Sequence, residues 1–154
     1  MSTQMEASQR HAVLVVEDND LVAEALHAIL ERKGLKPTVA HGVREAMELI
    51  KSDPVDLVIT DLMMPQWGTF QPRLGESFSG CGGLELIAEF RRRRPTTKII
   101  AITAGGDRMV ERAKLAGAHR VLEKPFAHGV LLQAIAELTP RYAEAVLSQT
   151  RLAG

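Results

Sequence analysis

The 154 residues, 45% of them hydrophobic, are enough for one domain with a real core and too few for two full-sized ones. Lys plus Arg and Asp plus Glu are both 19, so no basic surplus points to a polyanion, and direct nucleic-acid binding is not expected. A single cysteine, Cys81, excludes an internal disulfide; no apolar run approaches the ~20 residues of a membrane span; and the opening M-S-T-Q-M-E-A-S-Q-R lacks the form of a secretion signal, so a cytoplasmic protein without membrane contact is expected.

Residues 1–10 read as a disordered tail. Beyond them, apolar runs alternate with segments of helical period, the pattern of a parallel sheet covered on both faces. The first strand is expected at 12–16. Asn19 or Asp20 then caps a helix whose Leu21, Ala25, Ala28 and Ile29 form its apolar stripe, and Gly34 stops it. A short second strand runs from Lys36 to Ala40. The second helix spans Val43 to Lys51, with Val43, Ala46, Met47 and Ile50 on one face, and Asp53-Pro54 ends it. The third strand, Val55 to Thr60, delivers Asp61 to the point where the run breaks at Pro65.

Residues 66–83 carry five glycines and no clear period, an unusually long connection that is either a flexible loop or a functional lid. A third helix follows, with Leu84, Ile87, Ala88 and Arg91 at helical spacing, and ends before Pro95. The fourth strand is Lys98 to Thr103, the fourth helix Asp107 to Ala116 with Gly117 as its stop, the fifth strand holds Val121 and Leu122, and the fifth helix runs from Val130 to Leu138. After Pro140, Tyr142, Ala145, Val146 and Leu152 are available to a further helix in a 140–154 extension.

In an open parallel sheet, reactive groups gather beyond the carboxyl ends of the strands. Glu17, Asp18, Asp61, Thr103 and Lys124 all fall there. Three carboxylates so close repel one another unless a cation sits among them, and all-oxygen ligation suits Mg²⁺. Asp61, alone at its strand end, is the best nucleophile toward a phosphoryl donor, whereas Glu17 and Asp18 form a pair suited to holding the ion. Lys124 can bind a phosphate oxygen, the Thr103 hydroxyl can donate to another, and small Ala104 leaves room in the phosphate pocket. The five histidines have no metal-ligand spacing and read as solvated. Arg91 to Arg94 read as cations suited to a helix C-terminus.

E-D at 17 and 18, D-L-M-M-P at 61–65, T-A at 103 and 104 and K-P-F at 124–126 resemble the motifs of response-regulator receiver domains, in order, spacing and strand placement, over residues 11–139. The resemblance implies a doubly wound (βα)₅ flavodoxin-like α/β fold with a five-stranded parallel sheet, here carrying a long insertion at 66–83 and a short helical C-terminal extension. It implies a stand-alone switch with Asp61 as phosphoacceptor, Glu17 and Asp18 as the acidic pair, Met63 as a backbone-carbonyl metal ligand, Thr103 as switch hydroxyl and Lys124 as phosphate-binding cation before a cis Lys124-Pro125 peptide. Implied partners are a sensor histidine kinase or histidine phosphotransfer protein and an unidentified protein effector. Mg²⁺-dependent phosphotransfer and slow self-dephosphorylation follow, in a monomer or a phosphorylation-dependent dimer.

Two departures stand out. The insertion, with Trp67, Phe70 and Phe78, borders the site, and Val121 stands where the family often has an aromatic. An interaction module that keeps the fold while the insertion blocks phosphorylation is the competing expectation. A flavin- or nucleotide-binding enzyme is disfavoured by E-D-N-D after the first strand, where a phosphate-cradling loop is needed.

Overall fold

The computed structural model describes residues 13–52, 54–64 and 82–148. In chain order these form β1 (Val13–Val16), α1 (Asp20–Arg32), β2 (Thr38–Ala40), α2 (Val43–Ser52), β3 (Leu57–Asp61), α3 (Gly82–Arg93), β4 (Lys98–Thr103), α4 (Gly106–Ala116), β5 (Arg120–Glu123), α5 (His128–Leu138), a 3₁₀ turn (Pro140–Tyr142) and α6 (Ala143–Leu147). All strand pairs are parallel, in the order β2-β1-β3-β4-β5. The expected α/β architecture is therefore present. The expected tail at 1–10, residues 66–81 of the insertion with Cys81, and 149–154 of the extension lie outside the described residues.

Strand alternation divides the core in two. Leu14, Val16, Val58, Ile99 and Ala101 meet α2, α3 and α4 on one face, while Val13, Val15, Leu57, Ile59, Ile100 and Ile102 meet α1 and α5 on the other. Both faces are covered, which is why β1, β3 and β4 are apolar on successive residues rather than on alternate ones.

Two helical stripes differ from expectation. In α1 the buried residues are Ala23, Leu26 and Leu30, while Leu21 is 77% exposed and Ala25 and Ala28 also face outward. Outside the polar stripe of Asp20, Glu24, His27 and Glu31 that helix is apolar over a broad face, so several stripes satisfy the period, and the pair of leucines that fits between Leu35, Val13 and Val15 sets the rotation. In α3 the helix begins at Gly82, two residues before Leu84, and its anchors are Leu86, Ile87 and Phe90; Ala88 and Arg91 are exposed. The stripe of α2 is as expected, with Val43, Ala46, Met47 and Ile50 buried. Asn19 caps α1 by accepting from the Val22 N–H at 3.1 Å. Gly117, at φ 122°, ends α4 in a conformation that side-chain-bearing residues rarely adopt.

The extension closes the α1/α5 face. Tyr142 and Val146 are buried with Leu26, Leu30 and Leu57, the Tyr142 hydroxyl donates to Asp56 Oδ2 at 2.7 Å, and Arg141 stands 3.3 Å from the same oxygen. Lys33 Nζ donates to the Ser148 carbonyl at 2.6 Å.

Candidate functional site

Parallel pairing puts the carboxyl ends of β1, β3, β4 and β5 on one edge, and backbone bonds continue each ladder past its last strand residue. Glu17 N–H donates to the Ala40 carbonyl at 3.0 Å, Leu62 N–H to Ile102 at 3.0 Å and Lys124 N–H to Thr103 at 2.8 Å. These bonds hold the first residue after each strand as firmly as the strand itself, so the side chains that converge there start from fixed backbone.

Ligand atoms of Glu17, Asp18 and Asp61 all lie within 4.8 Å of one another. Lys124 Nζ stands 3.6 Å from Asp61 Oδ2 and 4.0 Å from Glu17 Oε1. The Met63 N–H donates to Asp61 Oδ1 at 3.2 Å, which fixes the rotation of that carboxylate. Lys124-Pro125 is cis. Thr103 is fully buried and its hydroxyl oxygen accepts from the Gly105 N–H at 2.9 Å; Ala104 beside it is exposed.

Electrostatically the cluster is unbalanced. Glu17 is 2% exposed, and burial above all, then the hydrogen bond and charge of Asp61, push its carboxyl up to about 8. Its Oε2 is buried with no hydrogen-bond partner among the described residues. One lysine cannot neutralise three carboxylates, and an orphaned buried carboxylate oxygen beside two others is the donor set that a hard divalent cation satisfies. The side chains present therefore fit such an ion.

Gly83, at the start of α3, escaped the sequence reading as a part of this site. Its N–H donates to the Leu62 carbonyl at 3.2 Å, and a Cβ there would fall onto the Asp61 carbonyl oxygen and within 2.6 Å of Leu62 Cα. Glycine lets the helix start press against the backbone that carries Asp61. In the sequence, Gly83-Leu84-Glu85 resembles only the family's helix start, displaced here by the insertion, with no sign that Gly83 would press on Asp61.

The response regulator receiver domain profile matches residues 13–136. This chain belongs to that family. Response regulator protein PilR of Pseudomonas aeruginosa is 33% identical over 129 residues, 82% of this chain and 26% of its own length. Response regulator MprA of Mycolicibacterium vanbaalenii is 36% identical over 131 residues, 84% of this chain and 50% of its own length. The chain thus spans half or less of these curated relatives. Two solved receivers superpose on it: the beryllofluoride-activated NtrC4 receiver domain dimer, at 30% identity and TM-score 0.69 over 84% of this chain and 97% of that one, and TrrA of Thermotoga maritima in complex with Mg²⁺-BeF, at 29% identity and TM-score 0.67 over 83% and 98%. Receiver domains generally bind Mg²⁺ at an acidic pocket, and this receiver carries the acidic cluster of Glu17, Asp18 and Asp61. Among the described residues, no helix is long and apolar enough to cross a membrane.

Proposed function

We propose that this receiver accepts a phosphoryl group on Asp61 from a sensor histidine kinase or histidine phosphotransfer protein, in a Mg²⁺-dependent reaction, and signals through phosphorylation-dependent contact with a protein effector. The observation that carries the reading is the meeting of Glu17, Asp18 and Asp61 within 4.8 Å, with the Lys124 ammonium 3.6 Å from Asp61. The receiver unit is residues 11–139, a cytoplasmic switch that is monomeric or dimerises on phosphorylation, without direct nucleic-acid contact.

A carboxylate oxygen of Asp61 attacks phosphorus, the P–N bond to the donor imidazole breaks, and its electron pair returns to that ring. The Met63 N–H keeps the attacking carboxylate in one rotamer. Lys124 stabilises the negative charge gathering on the phosphoryl oxygens. The Thr103 hydroxyl, whose oxygen accepts from the Gly105 N–H, keeps its own proton to donate to a phosphoryl oxygen, and Ala104 leaves the space for that oxygen. Glu17, Asp18, Asp61 and the Met63 carbonyl are the groups that would hold Mg²⁺, whose charge would offset that of the acyl phosphate. The same groups account for self-catalysed transfer and for slow loss of the phosphoryl group.

Intact-protein mass after incubation with acetyl phosphate tests the reading. One phosphoryl adduct that requires Mg²⁺ and is missing from Asp61→Asn is expected. An adduct of equal yield on Asp61→Asn refutes the site, and no adduct from a cognate phosphohistidine donor leaves the interaction module as the better description.

A further inference from the structure

At the far end of the sheet from Asp61, hydrogen-bond accounting exposes a gap. His119, just before β5, takes a carbonyl's place in the ladder: its N–H donates to the Ile99 carbonyl at 2.9 Å and its ring Nδ1 lies 3.1 Å from the Ile99 N–H. A backbone N–H can only donate, so Nδ1 is the bare nitrogen and the neutral ring carries its proton on Nε2. Arg91 Nη1 stands 3.4 Å from that Nε2. A guanidinium nitrogen also only donates, so two donors face each other with no acceptor between them.

The arrangement is held in place. Arg91 Nη1 also donates to the Pro95 carbonyl at 3.2 Å, and the arginine stem lies against Gly117, where a Cβ would fall onto Arg91 Cγ and within 3.0 Å of Cδ. Among the described residues neither Arg91 nor Lys98 has a carboxylate within ion-pair distance, whereas Arg92 and Arg93 are both tied to Glu89 and Arg120 to Glu137. Burial first, then the charges of Lys98, Arg91 and Arg120, hold the imidazole below its ordinary range, so it stays a neutral donor. At 3.4 Å the two nitrogens leave no room between them, but one oxygen lying to the side can accept from both, and the uncompensated cations favour an anion over water there.

We propose that Arg91, Lys98 and the Nε2–H of His119 form a binding site for a tetrahedral oxyanion, either a free dianion or the phosphate of a phosphomonoester, at the opposite edge of the sheet from Asp61. The anion accepts from both facing donors, and the charge of Lys98, which already acts on the His119 ring, adds to the field that holds it. None of the three residues belongs to the phosphorylation site, so the proposal stands or falls independently of it.

Amide and imidazole ¹⁵N spectra of the metal-free protein, titrated with sulfate at constant ionic strength near pH 8, test this directly, since sulfate remains a dianion throughout and the ring stays neutral. Saturable shifts at the Ile99 amide and the His119 ring are expected, unchanged in Asp61→Asn and with the dissociation constant raised about fivefold in Arg91→Ala and in Lys98→Ala, the size of a lost partly exposed charge contact. AMP and adenosine, titrated in parallel, separate the sources. Tighter binding of AMP than of sulfate, with adenosine silent, identifies a phosphomonoester, and equal binding identifies the free anion. Absence of saturable shifts, or shifts that both variants leave unaltered while their spectra remain folded, overturns the site.

Discussion

Gly83 shows how one missing side chain sets the geometry of a reactive one. Alanine there would push the start of α3 away from the Asp61 carbonyl and Leu62 Cα, which nothing can accommodate without backbone movement. Gly83→Ala is expected to cost about 2 kcal/mol in urea unfolding, the scale of an overpacked core, and to slow phosphoryl labelling. Labelling at the native rate would show that Asp61 does not depend on this close approach. Glu17, Asp18, Asp61 and Lys124 meet at one sheet edge, and they were legible because strand ends announce themselves by an apolar run that stops at a charge. His119 was not legible. A histidine before a strand carries no sign that its ring will serve as a ladder acceptor for a neighbouring strand, since the Ile99 N–H it meets is 20 positions away.

Among elements, the 3₁₀ turn and α6 are part of the core. Tyr142 is fully buried beneath α1 and α5 yet keeps its hydroxyl on Asp56, just before β3. Tyr142→Phe is expected to lose about 1 kcal/mol, the net worth of one hydrogen bond to a charged acceptor partly open to water, measured by denaturant unfolding with an unchanged slope. A null effect would assign the docking to apolar burial alone. The β4–α4 connection is the second element of consequence. Gly105 holds the Thr103 hydroxyl, and a Cβ on Gly105 would fall onto Met109 Cγ, so under the proposed function a movement of Thr103 toward a phosphoryl group would disturb the packing of α4 directly. Val121, partly buried against the same core cluster, fits this route through methionine and valine rather than an aromatic ring.

For the whole molecule, Glu17 couples the site to stability. Its carboxyl ordinarily titrates near 4.5 and is raised to about 8 in the folded protein. A raised carboxyl binds its proton more tightly when folded, so it costs nothing below 4.5 and destabilises increasingly as pH rises from about 4.5 to about 8. Metal-free protein should lose thermal stability across that window, and Mg²⁺ should restore it by an increment that grows with pH, because the cation requires the ionised form. Melting curves with and without Mg²⁺ check both, with Glu17→Gln expected to flatten the first trend and shrink the second. A Mg²⁺ increment that falls as pH rises would remove Glu17 from the ion's ligands.

The sequence by itself determined the order of strands and helices, the two-faced burial of the sheet and the family, because a continuous apolar strand bounded by a charge, repeated at helix-length intervals, has few other ways to bury itself. Tertiary structure alone decided the rotation of α1, where Leu26 and Leu30 win over Leu21 and Ala25 by fitting the opposite surface, and the anchors of α3, where Leu86 and Phe90 replace Ala88 and Arg91. It also decided which polar groups go unsatisfied among the described residues, the buried Glu17 Oε2 at one end of the sheet and, at the other, the Nε2–H of His119, which meets a second donor in Arg91. Periodicity records which residues share a face, whereas packing and hydrogen-bond satisfaction depend on groups far apart in the chain, and those meet only when it folds.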